Sequence, residues 1–136
     1  MLLALQLLNL LEAEAGDTTP DQFSFTDQTA VDVSSTITSA AIQVTGIDTA
    51  AAITVTGGEY DINGSGTFVS TEGTVNNGET VRARHTSSAS YLTVTNTVVT
   101  IGGVSDTFTS TTRVEPAGEA GGVGAPTRMG GMMIFG

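Results

Sequence analysis

Residues 91–112 read YLTVTNTVVTIGGVSDTFTSTT, two runs rich in threonine and valine on either side of a glycine pair. β-Branched residues at this density suit a pleated, half-buried surface, and Ile101-Gly102-Gly103 supplies the turn chemistry that closes a hairpin. Within the first run Leu92 and Val94 share one phase of the two-residue alternation, while Val99 and Ile101 occupy the other. A bulge or phase change near Asn96 or Val98 is therefore predicted. The two runs are strands, and the rest of the chain has to supply the surface they pack against.

Working outward, residues 79–85 (ETVRARH) alternate Val81, Ala83 and His85 against Arg82 and Arg84, one dry face and one charged face. AAIQVTGI (40–47) places Ile42 and Val44 on one side, AAITVTGG (51–58) pairs Ile53 with Val55, and QFSF (22–25) aligns Phe23 with Phe25. GEYDI (58–62), GTFVS (66–70) and GTV (73–75) complete the set, and Asn76-Asn77-Gly78 reads as further hairpin punctuation. Seven or more short strands separated by turn residues predict an all-β, two-layer antiparallel sandwich. With 136 residues and no cysteine, one domain can bury a core without disulfide staples.

The elements TDQTAV (26–31), VTGI (44–47), GGEYDING (57–64), GTVNNGETVRARHTSS (73–88) and NTVVTIGGVSDTF (96–108) together resemble an immunoglobulin-like repeat. Such repeats occur in tandem in large bacterial surface and secreted proteins, and singly in tailed-phage particles. The resemblance runs from Pro20 to about Thr112. It implies an immunoglobulin-like sandwich serving presentation and adhesion, with no catalytic residue. The chain departs from the tandem pattern in having one copy between two apolar ends.

Those ends define the expected organisation: an apolar N-terminal anchor over 1–16, the sandwich over 17–114, and a glycine-rich linker with an apolar hook over 115–136. MLLALQLLNLLEAEA (1–15), taken as a helix, lines up Gln6, Asn9 and Glu12 in a narrow polar stripe and leaves Leu3, Leu7, Leu10 and their neighbours around the rest. Two other readings stand open. The leucines could close the end of the chain's own core, or they could form a signal peptide cut after Ala15, although no basic residue precedes the run. A helix over Leu2 to Leu11 would reach about 15 Å against a hydrocarbon core of about 30 Å, so no membrane span is expected. At the other end VEPAGEAGGVGAPTRMGG (114–131) cannot build a core and reads as a tether with a reach of about 20 to 25 Å. Met132, Met133, Ile134 and Phe135 behind it have no strand pattern to bury them and are expected to dock on a partner.

Candidate chemistry is sparse. Asp61, Asn63, Ser65 and Glu72 in DINGSGTFVSTE (61–72) occupy positions 1, 3, 5 and 12 of an EF-hand calcium loop, with Gly66 at position 6. The flanks are strand-like rather than helical, so a hairpin turn at Ile62-Asn63-Gly64 is the stronger reading, and no cofactor is expected. His85, the single histidine, falls in phase with Val81 and Ala83 and reads as a structural side chain. The many serines and threonines read as strand and turn residues without a base to activate them.

Four arginines face fourteen acidic residues, and the net charge of −10 opposes direct binding of nucleic acid. The expectation is a non-enzymatic virion protein of a tailed bacteriophage, a capsid decoration or minor capsid protein assembled in the host cytoplasm. Its partners would be other virion subunits, with homo-oligomers on the particle and a weak contact to a host surface. The alternative is an exported bacterial surface or adhesion module binding protein or glycan, outside the cell.

Overall fold

In the computed structural model, the described residues, 16–117, form nine strands. They are β1 (Gln28–Val31), β2 (Thr36–Thr38), β3 (Ile42–Gln43), β4 (Ala51–Thr56), β5 (Glu59–Ile62), β6 (Gly73–Val75), β7 (Thr80–Thr86), β8 (Val94–Ile101) and β9 (Val104–Thr112). One sheet has the order β1-β9-β8-β4-β6. The other is organised around β7, which pairs with β2 and β3 along one edge and with β5 along the other. The arrangement is all-β and sandwich-like, with one core between two sheets.

The β8–β9 hairpin forms as the opening stretch predicts, turning at Gly102-Gly103, and its register runs unbroken from Val94↔Thr111 to Ile101↔Val104. The predicted phase change near Asn96 or Val98 is absent. Thr97, Val99 and Ile101 point into the core, and the strand keeps its alternation by leaving Leu92 and Val94 in solvent, 66% and 54% exposed. Burial of three inward residues outweighs exposure of two outward ones, so the ladder has no cause to slip.

Not every pair is antiparallel. β1 runs parallel to β9, through Gln28↔Ser110 and Val31↔Thr112, with Ala30 at φ 58° taking up the extra residue on β1. The predicted turn at 76–78 links β6 in one sheet to β7 in the other, so it is a crossing between layers and not a hairpin. QFSF forms no strand, yet Phe23 and Phe25 are buried, and the Phe25 N–H donates to Asp106 Oδ2 at 2.8 Å. GTFVS likewise forms no strand and touches the sheet through one bridge, Tyr60↔Val69.

β2 and β3 are one edge strand with a bulge. Three residues, 39–41, stand opposite two on β7, and Ser39 Oγ accepts the Ala83 N–H at 2.9 Å in place of a ladder carbonyl. Val81 and Ala83 face inward and belong to the same buried cluster as Ile53, Val99, Ile101 and Phe108, the last stacked edge-on with Phe25 at 6.4 Å.

The described chain enters and leaves at opposite poles. At one pole Asp17 O accepts the Asp48 N–H, and the Thr18 carbonyl lies so close to Gly102 that a side chain there would collide with it. At the other, the Arg113 N–H donates to Val31 O and Arg113 O accepts the Leu92 N–H. Nine residues of β9 separate the two, about 27 Å at the rise of an extended strand. The predicted anchor residues Leu3, Leu7 and Leu10, the tether beyond residue 117, and Met132, Met133, Ile134 and Phe135 lie outside the described residues.

Candidate functional site

The outward side of β5 and β7 gathers most of the polar chemistry of the domain. Alternation places Arg82 and Arg84 on one strand directly opposite Asp61 and Glu59 on the other. Arg82 grips Asp61 with two charge-assisted bonds, Nε to Oδ1 at 3.0 Å and Nη2 to Oδ2 at 2.5 Å, and Arg84 binds Glu59 Oε1 through Nε and Nη2. The segment after β5 folds back over this ladder and brings the Phe68 ring beneath both guanidinium groups, 4.0 Å from Arg84 and 5.3 Å from Arg82. Asp61 is thereby left only 1% exposed on what would otherwise be an open sheet face.

Three of the four candidate calcium residues, Asp61, Asn63 and Ser65, are engaged with other partners. Asp61 has its carboxylate filled by Arg82 and by the Gly66 N–H, which donates to Oδ2 at 2.9 Å. Burial alone would raise its pKa, but the Arg82 and Gly66 hydrogen bonds outweigh burial and hold the carboxyl below the usual range. Asn63 and Gly64 both have positive φ, and Ser65 N–H donates to Ile62 O, the geometry of a type I′ turn at the predicted place. Asn63 turns its side chain to Glu79 and the Thr80 N–H, Ser65 Oγ accepts the Thr67 N–H, and Glu72 stands exposed. Among the described residues no three acidic or histidine side chains come together to hold a metal.

His85 is in the core, 6% exposed, with its ring stacked on Phe108 at 4.9 Å. Nδ1 lies 2.7 Å from Thr97 Oγ1 and Nε2 lies 2.7 Å from Ser110 Oγ. Thr97 Oγ1 donates to Gly57 O, so it accepts from His85, which assigns the proton to Nδ1 and leaves Nε2 to accept from Ser110. The sequence reading gave the serines no base; Ser110 has one. Ser110 is fully buried, however, and a nucleophile needs room for an acyl group beside it. The pair works here as a strut between the two sheets.

Burial pushes the His85 pKa below its ordinary value. The unfolded chain then binds a proton near pH 6.5 that the folded chain refuses, so stability is full above that pH and falls as pH drops towards the folded pKa. Glu79 is also held low, by hydrogen bonds from the Asn76 backbone and side chain and from Asn63, and with Asp61 it contributes stability that is lost as pH falls from the ordinary carboxylate range through the lowered pKa values. Acid unfolding followed by urea titration should therefore show two limbs, the first below pH 6.5 with a slope of up to about 1.4 kcal/mol per pH unit. In His85→Gln only the second limb should remain.

A cleft of about 400 Å³ opens beside this sheet, lined by residues 57–59 and 84–86 and by Thr36. Its one cation is already paired. Among the described residues Arg82, Arg84 and Arg113 each hold a carboxylate, the last that of Asp32 at 2.9 Å, which leaves no basic patch for a polyanion. No described helix is long and apolar enough to cross a membrane. The alternation in ETVRARH marked the charged face; which carboxylates it meets depends on strand pairing, and no local signal announces the return of Phe68. A search with family models finds no match to the chain, and comparison with curated proteins finds none either.

Proposed function

We propose that this chain is a non-enzymatic structural protein of a tailed-phage virion, a capsid decoration or minor capsid component that displays one immunoglobulin-like domain. Support for the immunoglobulin-like assignment comes from strand order: β9-β8-β4 corresponds to G-F-C of that fold, and β2/β3-β7-β5 to B-E-D. Two strands depart from the seven-strand scheme, β1 by pairing with β9 and β6 by adding to the edge of β4 after β5 has joined the other sheet. Fold analogy by itself carries no function. The observation that carries the reading is the exit of the chain at opposite poles, each leading towards a segment whose sequence is rich in apolar residues. A domain so arranged is suited to being held from both ends, with Leu3, Leu7 and Leu10 docking at one side and Met132, Met133, Ile134 and Phe135 at the other. Two weak contacts on one module gain strength through effective concentration.

Mass spectrometry of purified virions made by the genome that encodes the chain tests the assignment. The chain should be present in stoichiometric amount; its absence from such particles, or recovery from the cell surface instead, overturns the reading. Deleting residues 130–136 should lower occupancy on the particle by about tenfold or more, the loss of one of two linked contacts. The same deletion should leave the melting temperature of the domain unchanged, since the described residues bury a core of their own. Undiminished incorporation would remove the C-terminal hook from the account.

A further inference from the structure

The chain carries fourteen acidic residues, yet the outer face of its larger sheet carries no ionisable side chain across its three central strands. β9 turns Ser105, Thr107, Thr109 and Thr111 outward. β8 sets Thr100, Val98, Asn96 and Val94 opposite them in register, and β4 continues two of the rows with Thr54 and Thr56. Among the described residues the charged groups lie elsewhere: Asp106 of β9 is in the opposite phase and accepts the Phe25 N–H, and the others are on β5 and β7, in the loops, and at the rim, where Asp27 accepts the Thr109 N–H at 2.9 Å.

The hydroxyls of this face are partly satisfied within it. Thr100 Oγ1 and Ser105 Oγ are 2.6 Å apart, and Thr109 Oγ1 donates to Asn96 Oδ1 at 2.8 Å. Polar groups already paired across strands cost less to bury, and the threonine and valine methyls add apolar surface beside them. Val94 adds an exposed apolar side chain at the pole where the chain leaves, and Leu92 just beyond it stands opposite Arg113, which is paired with Asp32 and bounds the face there. Leu92 holds φ 52°, a conformation rare for a bulky residue.

We infer that this face is the contact surface for a second copy of the same chain, packed sheet to sheet. Two molecules of net charge −10 repel wherever their acidic groups meet, and this face is where they approach without that cost. A two-fold axis through it sets threonine and valine methyls against their equivalents at the ordinary sheet spacing of about 10 Å, with acidic residues left at the rim. Three strands at about 4.8 Å spacing and about 27 Å of length give roughly 400 Å² per copy. About 800 Å² in total is below a standard stable interface, so the contact is weak in solution and becomes effective where copies are held close. The inference concerns the described domain and does not depend on the virion reading.

Concentration-dependent NMR on the full chain tests it. Raising the protein to about 2 mM should shift amide resonances of β4, β8 and β9, and more so in high salt, because salt screens the net repulsion while the contact itself is uncharged. Val94→Asp with Thr107→Asp should weaken self-association at least tenfold, and Thr86→Asp on the other sheet should leave it unchanged. Thermal melts confirm that each variant folds. The inference is overturned by resonances that do not move with concentration, by shifts that map to β5 and β7, or by association that survives the paired aspartates. It is equally overturned if a neutral oligosaccharide shifts this face while the protein stays monomeric.

Discussion

His85→Ala should destabilise the domain by about 3 to 4 kcal/mol, the largest effect expected of any single polar residue here. The substitution removes a ring stacked on Phe108 and opens a cavity between the sheets. It also takes away the hydrogen-bond partner of Ser110 Oγ, while Thr97 keeps its bond to Gly57 O. For a domain of about 100 residues this loss corresponds to a fall of roughly 15 °C in Tm. His85→Phe fills the space without serving the hydroxyls and should cost less, about 1 to 2 kcal/mol. Equilibrium urea unfolding of both variants separates the packing contribution from the hydrogen-bond contribution. A loss below about 1 kcal/mol in His85→Ala would mean that the ring is not a strut between the layers.

Asp61→Ala should cost about 3 kcal/mol, near the lower end for removing one partner of a buried ion pair. The lower end applies because the Arg82 side chain is 31% exposed and its freed guanidinium can return to water. The carboxylate does more than neutralise Arg82, since it also anchors the loop through the Gly66 N–H. Hydrogen exchange at Gly66 and its neighbours should therefore accelerate in the variant before the rest of the domain responds. In a double-mutant cycle, Asp61→Ala with Arg82→Ala should cost less than the sum of the single changes. Strict additivity would show that the two side chains act independently despite their bidentate geometry.

The residues that sequence reasoning placed well are those whose environment follows from local pattern. Val81, Ala83 and His85 share the inward phase of β7, and the β8–β9 hairpin turns at its glycine pair. The Asn63-Gly64 turn also stands where the composition put it. β1 and β2 carry no strand signal of their own, since QTAV does not alternate polar with apolar residues and TIT has a single apolar one. The phenylalanines of QFSF showed the opposite failure. Their alternation suggested a strand, but the segment contributes two buried rings to the core and pairs its backbone through an aspartate side chain instead of a ladder.

By itself, the sequence determined that the chain is β-rich, which faces of its longest strands are dry, where the tightest turns fall, and that its net charge is strongly acidic. These are properties of composition and of a two-residue period, and each is complete within a few neighbouring positions. Tertiary structure alone decided the rest: that β1 runs parallel to β9, that Asp61 belongs to Arg82, that His85 bridges Thr97 and Ser110, and that the charges leave one sheet face bare. Each joins residues from separate strands, some more than 80 positions apart, and the pairing is chosen by which arrangement buries the inward faces of both sheets together. No stretch of the chain contains that choice, because the free energy that makes it belongs to the shared core.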